Sequence, residues 1–342
     1  MEVAALLKEA LTCYAAAFGS GKNPAMRRSS FALIVATLAA GLPAAALHAE
    51  ELTIPSLTLT NEQFLAGDAA AGVPVILTGQ LRLPRTAPPY PVVLLMHGSG
   101  GPNSGPVARW EWVLRPLGIA TFSLDSFTAR GVLHHASDPS QLGSLTRIYD
   151  AYRAVDVLAA DPRIDPERIA LMGFSMGGIA TLYGAMTRFQ RSFGPERGRI
   201  VAHLAFYPLC NYAFEGELDV AEVPIREFHG GADDYAPPGP CRDYIGRLAA
   251  AGHDAVMIEY PGVLHQFDGR DDGNWMDPTA PTTRNCRRVE RGGVLVNAAT
   301  GEPFSFDDAC VEYGPGGGYD ADAMASAKAA VTALLREAFA LP

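Results

Sequence analysis

The sequence has no run of basic residues. The 342-residue chain carries 27 Lys and Arg against 37 Asp and Glu, a formal net charge of −10. Because nucleic-acid binding depends on neutralising phosphates with Lys and Arg, a nucleic-acid partner is not expected. Also missing are the Cys-x-x-Cys and His-x-x-x-His spacings of zinc sites, internal repeats and low-complexity linkers. These absences favour one large domain without a structural zinc site.

Long apolar runs are also scarce, and the one that stands out covers residues 31–47. It follows Met26 and two arginines and precedes small residues, which is the order of a secretory signal peptide. Cleavage would follow Ala46 or Ala49, and the residues before Met26 do not fit a signal, which favours Met26 as the true start. We predict a leader and signal peptide over residues 1–49, and export to the periplasm or the extracellular space. We expect no stable membrane insertion after cleavage; an uncleaved anchor is the alternative.

Cysteine is rare, with five residues in the chain. Cys13 lies in the predicted leader, which leaves Cys210, Cys241, Cys286 and Cys310. An even number of cysteines in an exported chain favours two disulfides. Four cysteines allow three connectivities, and the count alone does not choose among them.

Short apolar runs alternate with helical patterns between residues 50 and 342. The runs at 91–96 and 168–173 are apolar on consecutive residues, as in strands buried on both faces of a parallel sheet. We therefore predict a single α/β domain, with a mostly parallel central sheet and helices on both faces. The predicted strands are 73–83, 91–96, 119–124, 168–173, 201–207, 223–228 and 255–260, and the predicted helices are 107–117, 145–160, 176–193, 241–251 and 323–340.

A Gly-x-Ser-x-Gly motif, Gly173 to Gly177, lies between a predicted strand and a predicted helix. Its glycines permit a tight turn that exposes the serine hydroxyl, and the N-terminus of the next helix favours developing negative charge. A close-packed strand–helix turn would explain the glycines but not the serine between them. Ser175 is therefore the predicted nucleophile.

Ligands bind outside the carboxyl ends of the strands in such sheets, and this rule selects a base and an acid. His265 follows the strand 255–260 on the correct edge and is the predicted base. Asp233 follows the preceding strand and is the predicted acid, in preference to Asp234. The chain order Ser175, Asp233, His265 is the order that Gly-x-Ser-x-Gly hydrolases require.

The other histidines receive structural interpretations. His253 precedes a strand and so lies on the wrong edge, and His203 lies within a strand. His229 is expected to form structural hydrogen bonds near the predicted acid. For His134 and His135 we favour an exposed loop pair over a position in the pocket wall.

An oxyanion hole needs two N–H donors. One predicted donor is the N–H of Met176, the residue after the nucleophile. The other belongs to the glycine-rich segment 97–101, which follows a predicted strand. Ser99 is favoured as this donor, with Gly98 as the alternative, and His97 is expected to brace the loop.

These motifs together resemble the dienelactone hydrolase family of the α/β-hydrolase superfamily. The resemblance runs from about residue 91 to the C-terminus and implies the α/β-hydrolase fold, no metal or other cofactor, and hydrolysis of esters or lactones. It rests on the glycine-rich loop 97–101, Asp125-Ser126-Phe127, the serine motif 173–178, Gly231-Ala232-Asp233 with Pro237, and Tyr260-Pro261-Gly262 with His265.

Two departures from the family pattern bear on the substrate. Founding members carry a cysteine where this chain has Ser175, and a glutamate at about Gly98. The absence of this cysteine and this glutamate argues against a dienelactone hydrolase proper. It favours a serine hydrolase that cleaves small-molecule esters or lactones through an acyl-enzyme. A serine peptidase or an acyltransferase on the same fold is the alternative, although a peptidase usually adds a large domain. A non-catalytic binding protein is less expected, because no member of the triad is missing.

Residues 268–318 form an extension that resembles one found in exported family members. It contains a predicted hairpin around 289–303 and is expected to cover part of the pocket. Two cysteines belong to it and two follow consecutive strands, which usually lie side by side. The predicted disulfides are therefore Cys210–Cys241 and Cys286–Cys310.

Overall fold

The structure, a computed structural model, describes residues 49–133 and 135–341. The predicted signal segment lies outside the described residues. From Ala49 onward the chain forms one compact unit. Its first nine strands are β1 (Glu50–Thr58), β2 (Val73–Arg82), β3 (Tyr90–Met96), β4 (Ala120–Asp125), β5 (Ile164–Phe174), β6 (Ile200–Phe206), β7 (Tyr212–Ala213), β8 (Ile225–Gly230) and β9 (Ala255–Tyr260).

Seven helices cover or flank the sheet in the described residues, and none of them combines the length and apolar character needed to cross a bilayer. They are α1 (Asn61–Leu65), α2 (Gly105–Leu114), α3 (Thr146–Ala160), α4 (Met176–Tyr183), α5 (Thr187–Phe193), α6 (Pro238–Ala250) and α7 (Ala321–Ala338).

Eight strands form the central sheet, in the order β1-β2-β4-β3-β5-β6-β8-β9. The pairs β1–β2 and β2–β4 are antiparallel, and every pair from β4–β3 to β8–β9 is parallel. The mostly parallel sheet predicted from the alternating pattern is confirmed. The carboxyl ends of β3, β5, β6, β8 and β9 consequently meet at one edge.

Strand β3 shows why the apolar runs are continuous. Val92 and Leu94 pack into the core that contains the apolar faces of α3, α4 and α6. Val93 and Leu95 point the other way, into a second core with α2 and α7. Since side chains of a strand alternate between faces, burial on both sides requires apolar residues at every position.

Strand β1 is absent from the predicted set. It is an edge strand that pairs only with β2, and its outer half is exposed, so it carries no continuous apolar run. Pro55 lies in the middle of β1, and a proline in this position argues against a strand when only the sequence is considered. At an edge this residue is tolerated, because its missing N–H is not needed for a ladder on the open side.

The helix predicted over 176–193 is wrong as one element, since it consists of α4 and α5. Between them Met186 forms an isolated β-bridge to Val220, and the carbonyl oxygen of Ala185 accepts a hydrogen bond from Ala221 N–H at 2.8 Å. Pairing with a segment 35 positions further along thus replaces the helical hydrogen bonds. The other predicted strands and helices are all present, with bounds that shift by a few residues.

The extension folds into small antiparallel pairs: β10 (Asn274–Met276) with β15 (Gly316–Gly318), β11 (Pro281–Thr282) with β14 (Glu312–Tyr313), and β12 (Arg288–Arg291) with β13 (Val294–Asn297). The last pair is the predicted hairpin. Strand β12 also pairs in parallel with β7, which follows β6 of the central sheet. This contact attaches the extension to the edge where the parallel strands end.

The four described cysteines form the two predicted disulfides. Cys210 is bonded to Cys241 and Cys286 to Cys310, with Cα–Cα distances of 4.9 and 5.1 Å. Strands β6 and β8 are neighbours, as the pairing argument requires. Cys241 lies in the first turn of α6, not in the loop before it.

Loss of either disulfide should lower stability, but only one should also lower activity. The bridges join residues 31 and 24 positions apart, and loops of this size correspond to about 3.5 kcal/mol each in the chain-entropy model. The double variant Cys210→Ala/Cys241→Ala should lose turnover as well, because α6 follows the loop that carries Asp233. The matched variant Cys286→Ala/Cys310→Ala should mainly lower the urea midpoint.

Thiol titration of the denatured protein checks the bridges themselves. We expect no free thiol from these four cysteines, and four titratable thiols would refute both bridges. If the two double variants lost turnover equally, the special role of the Cys210–Cys241 bridge would be wrong.

Candidate active site

Ser175 occupies the turn between β5 and α4. Its φ is +53°, in the left-handed region that non-glycine residues rarely adopt. A Cβ on Gly173 would overlap the carbonyl oxygen of Gly177, and a Cβ on Gly177 would overlap that of Met96. The Ser175 N–H donates to the Phe206 carbonyl oxygen at 2.9 Å. The glycines and this bond together hold the serine at the carboxyl end of β5.

The structure brings the three predicted triad residues together. His265, after β9, places Nε2 3.1 Å from Oγ of Ser175. Its Nδ1 lies 2.7 Å from Oδ2 of Asp233, after β8. Asp234, the alternative acid, is exposed and pairs with Arg284 at 3.4 Å. The geometry thus favours Asp233 as the partner of the imidazole.

Asp233 is surrounded by hydrogen-bond donors. Its Oδ1 accepts from the N–H groups of Tyr235 and Ala236 at 2.9 and 2.8 Å. Burial alone would raise the pKa of Asp233, but the neighbouring rings of His265 and His229 lower it to about 2. The carboxylate is therefore ionised at neutral pH and can stabilise a protonated imidazole.

His229 has the structural hydrogen-bonding position predicted for it. Its Nδ1 donates to Oε1 of Glu227 at 2.6 Å, and its Nε2 donates to the Ala236 carbonyl oxygen at 2.5 Å. Burial alone would lower the pKa of His229, but the carboxylates of Glu227 and Asp233 raise it to about 10. The resulting cation balances two buried carboxylates. The contact of Glu227 with His229 is not predicted from the sequence, although the two residues lie two positions apart on β8 and therefore share a face of the strand.

Two backbone N–H groups lie beside the serine. Met176 is the first residue of α4, so its N–H has no acceptor within the helix. The loop after β3 passes directly against the serine, since a Cβ on Gly98 would lie 3.4 Å from Cβ of Ser175. Ser99 lines the same cavity as Ser175. Both predicted donor positions, and the alternative at Gly98, are thus adjacent to Ser175, the predicted nucleophile.

Buried side chains hold the loop after β3 in place. Nδ1 of His97 donates to the Gly98 carbonyl oxygen at 2.7 Å, and its Nε2 accepts from Ser126 N–H at 3.3 Å. The fully buried guanidinium of Arg147 donates to the carbonyl oxygen of His97. Burial, together with the Arg147 charge, lowers the pKa of His97 well below its usual value. His97 is therefore neutral and supports the loop, as predicted. The role of Arg147 in holding this loop is not predicted from the sequence.

A cavity of about 290 Å³ opens at Ser175 and His265. The extension supplies part of its wall through Trp275, Asp277 and Ala280. A ligand can thus reach the serine hydroxyl and the imidazole from the same side.

A buried cluster behind the imidazole is not predicted from the sequence. The ring of Tyr207 packs edge-on against His265, with centroids 4.6 Å apart. Its hydroxyl donates to Asp268 at 2.5 Å, and Trp110 Nε1 donates to the other oxygen of that carboxylate at 2.7 Å. These contacts join residues far apart in the chain, so no local pattern could have indicated them. They restrict the position of the Tyr207 ring, and through it that of His265.

A narrow recess of about 30 Å³ adjoins the cavity and shares Ser99, Ser175 and Tyr235 with it. His135 lines the recess, is buried, and stacks on Phe127 with ring centroids 4.8 Å apart. The expectation of an exposed loop position is therefore wrong for His135, because an aromatic neighbour covers it. His134 lies outside the described residues.

One group of potential metal ligands occurs in the described part of the chain, formed by Glu227, His229 and Cys241. The sulfur of Cys241 is bonded to Cys210, and both ring nitrogens of His229 already have hydrogen-bond partners. The disulfide and these hydrogen bonds occupy the sulfur and both ring nitrogens, so the group is not available to bind a metal ion.

The chain is similar to known proteins in part of its sequence and in its fold. The sequence model of the phospholipase/carboxylesterase family matches residues 140–271, a span that contains all three triad residues. A candidate dienelactone hydrolase from Klebsiella pneumoniae is similar in structure, with a TM-score of 0.50, 15% identity, and coverage of 84% of this chain and 99% of that chain. This likeness, together with the order of the central sheet, shows that the chain has the α/β-hydrolase fold.

Two further solved structures are similar to this chain. One is a dienelactone hydrolase-like promiscuous phosphotriesterase from metagenomic libraries, with a TM-score of 0.47, 17% identity, and coverage of 84% and 98% of the two chains. The other is esterase 2 of Thermogutta terrifontis, with a TM-score of 0.46, 20% identity, and coverage of 58% of this chain and 82% of that one. At 15% identity, the likeness to the Klebsiella pneumoniae structure concerns the fold alone, and a shared fold does not imply a shared activity.

Proposed function

We propose that this α/β-hydrolase is a serine carboxylic ester hydrolase that acts on small-molecule esters or lactones. The observation that supports the proposal is the continuous chain from Asp233 through His265 to Ser175, with distances of 2.7 and 3.1 Å. It ends at a cavity that a substrate carbonyl can enter.

In the proposed mechanism Oγ of Ser175 attacks the carbonyl carbon while Nε2 of His265 takes the hydroxyl proton. Asp233 holds the ring and stabilises its positive charge. The oxyanion accepts hydrogen bonds from the N–H groups of Met176 and Ser99. His265 then protonates the departing alcohol, which leaves an acyl-enzyme on Ser175. A water molecule, deprotonated by the same imidazole, releases the acid.

We further propose that the protein is exported to the periplasm or the extracellular space. The two disulfides support this location, because such bonds persist in oxidising compartments and are rare in the cytosol. The apolar run 31–47 with its basic start supports it as well.

Hydrolysis of p-nitrophenyl esters of increasing acyl length tests the proposed activity. We expect turnover of the acetate and butyrate esters, and a fall for decanoate, because the space at Ser175, a cavity of about 290 Å³ with an adjoining recess of about 30 Å³, is at the small end of ligand pockets. Added alcohol should leave the yield of free acid largely unchanged. Transfer of most acyl groups to the alcohol would instead indicate an acyltransferase. Cleavage of peptides without ester hydrolysis would indicate a peptidase, and the absence of any turnover would contradict the proposal.

A further inference from the structure

The extension places one arginine, Arg288, in the wall of the recess that contains Ser175. It is the first residue of β12, and its residue surface is only 4% exposed. A positive charge in such a position is costly unless a negative group balances it. The partners of this guanidinium therefore decide what the recess can bind.

All hydrogen-bond partners of the Arg288 guanidinium in the described residues are neutral. Nη1 donates to the hydroxyl of Tyr212 at 2.6 Å, and Nη2 donates to Oγ1 of Thr283 at 2.6 Å and to Oδ1 of Asn211 at 3.2 Å. The Nε–H has no acceptor among the described residues. The guanidinium therefore retains a free donor and a charge that hydrogen bonding does not neutralise.

No carboxylate contributes to the electrostatic environment of Arg288 within the described ranges. Burial lowers its pKa, and the groups that oppose this effect are the phenols of Tyr212 and Tyr183. Buried Arg130 provides the contrast, since it pairs with Asp150 at 2.8 Å. Arg288 is instead stacked on aromatic rings, 4.1 Å from the centroid of Tyr212. These contacts fix its position but leave its charge without a counter-ion.

The recess and the larger cavity meet at Ser175, which lines both of them. His265 lines the cavity but is not among the described residues that line the recess, whereas Met176 lines the recess. The alcohol has to leave beside His265, which protonates it. An ester bound with its alcohol beside His265 would therefore extend its acyl part into the recess, towards Arg288. Its volume of about 30 Å³ would hold one or two water-sized groups, such as the two oxygens of a carboxylate.

We propose that Arg288 is a specificity-determining residue that binds a carboxylate at the far end of the acyl chain, so that the preferred substrates are half-esters of short dicarboxylic acids. The guanidinium would form charge-assisted hydrogen bonds with that carboxylate. This inference rests on the proposed ester hydrolysis and adds the class of acid to it.

The test compares the monoethyl esters of succinic, glutaric and adipic acid with the same esters bearing a terminal carboxamide. Ethanol release gives kcat/KM for each pair, and the carboxamide matches the carboxylate in size without its charge. In the unmodified protein we expect the carboxylate ester to be preferred at least tenfold for one or more chain lengths. Arg288→Gln should lower this ratio at least tenfold, and Arg288→Lys should retain part of it. Arg284→Gln, in the same extension but outside the recess, is the matched control and should keep the ratio.

A ratio of one or less at all three lengths in the unmodified protein would overturn the inference, and this measurement does not depend on the folding of any variant. An equal loss of the ratio in the Arg284 and Arg288 variants would overturn it as well. If the carboxamide esters are hydrolysed without a preference for the carboxylate, the ester hydrolase function stands and only the role of Arg288 fails. If neither series nor p-nitrophenyl acetate is hydrolysed, the proposed function fails and this inference fails with it.

Discussion

Replacing Ser175 with alanine should abolish ester hydrolysis while the fold is retained. The substitution removes Oγ, the atom that lies 3.1 Å from the imidazole and that attacks in the proposed mechanism. Loss of a triad nucleophile typically costs about 10³-fold or more in kcat, which corresponds to at least ~4 kcal/mol of transition-state stabilisation. The strain of a φ of +53° comes from the Cβ atom, which alanine and serine share, so the substitution does not change the strain at the turn. The thermal midpoint should accordingly stay close to that of the unmodified protein.

Ser104→Ala is a matched control for this variant. Ser104 lines the same cavity, but its hydroxyl has no hydrogen-bond partner among the described residues and lies outside the triad. We expect its kcat/KM to change by no more than a few-fold. If Ser175→Ala kept more than about one part in a thousand of the original rate, Ser175 could not be the nucleophile.

The catalytic candidates are predictable because they depend on local signals and on one topological rule. Ser175 follows from glycine spacing between a strand and a helix, and Asp233 and His265 follow from their positions after successive strands. Those strands end at the same edge of the sheet, as a parallel arrangement requires. The rule also places His253 and His203 outside the site, in agreement with the structure, where His203 is buried within β6.

The contacts that surround the triad are not predictable in this way. Asp268 meets Tyr207 and Trp110 across 61 and 158 positions of sequence. Arg288 reaches the recess because β12 pairs with β7, another long-range contact. Such contacts depend on how loops fold back over the sheet, and a single sequence carries no periodic signal for that. The residues that set specificity therefore appear only in the structure.

The second large effect on kcat is expected for Asp233, the proposed acid of the triad. Asp233→Asn should lower kcat by about 10³- to 10⁴-fold, because an amide cannot hold the imidazole in the required tautomer or stabilise its charge. Oδ2 of Asp233 faces Nδ1–H of His265 at 2.7 Å, while Oδ1 is taken by two backbone N–H groups. An asparagine that keeps its oxygen towards the backbone turns its NH₂ group towards the histidine and opposes the Nδ1–H donor. The buried cation on His229 also loses one of its two carboxylates.

The control for Asp233→Asn is Asp234→Asn, the same substitution at the next residue. The Asp234 carboxylate is half-exposed, lies 3.4 Å from Arg284, and accepts a hydrogen bond from Gly316 N–H at 3.1 Å. Exposed ion pairs contribute about 1 kcal/mol or less, so we expect kcat to change by less than about fivefold. Measuring kcat for both variants with one ester, alongside their unfolding midpoints, separates chemistry from stability. Equal losses of kcat, or a larger loss in the Asp234 variant, would show that the imidazole depends on the other carboxylate.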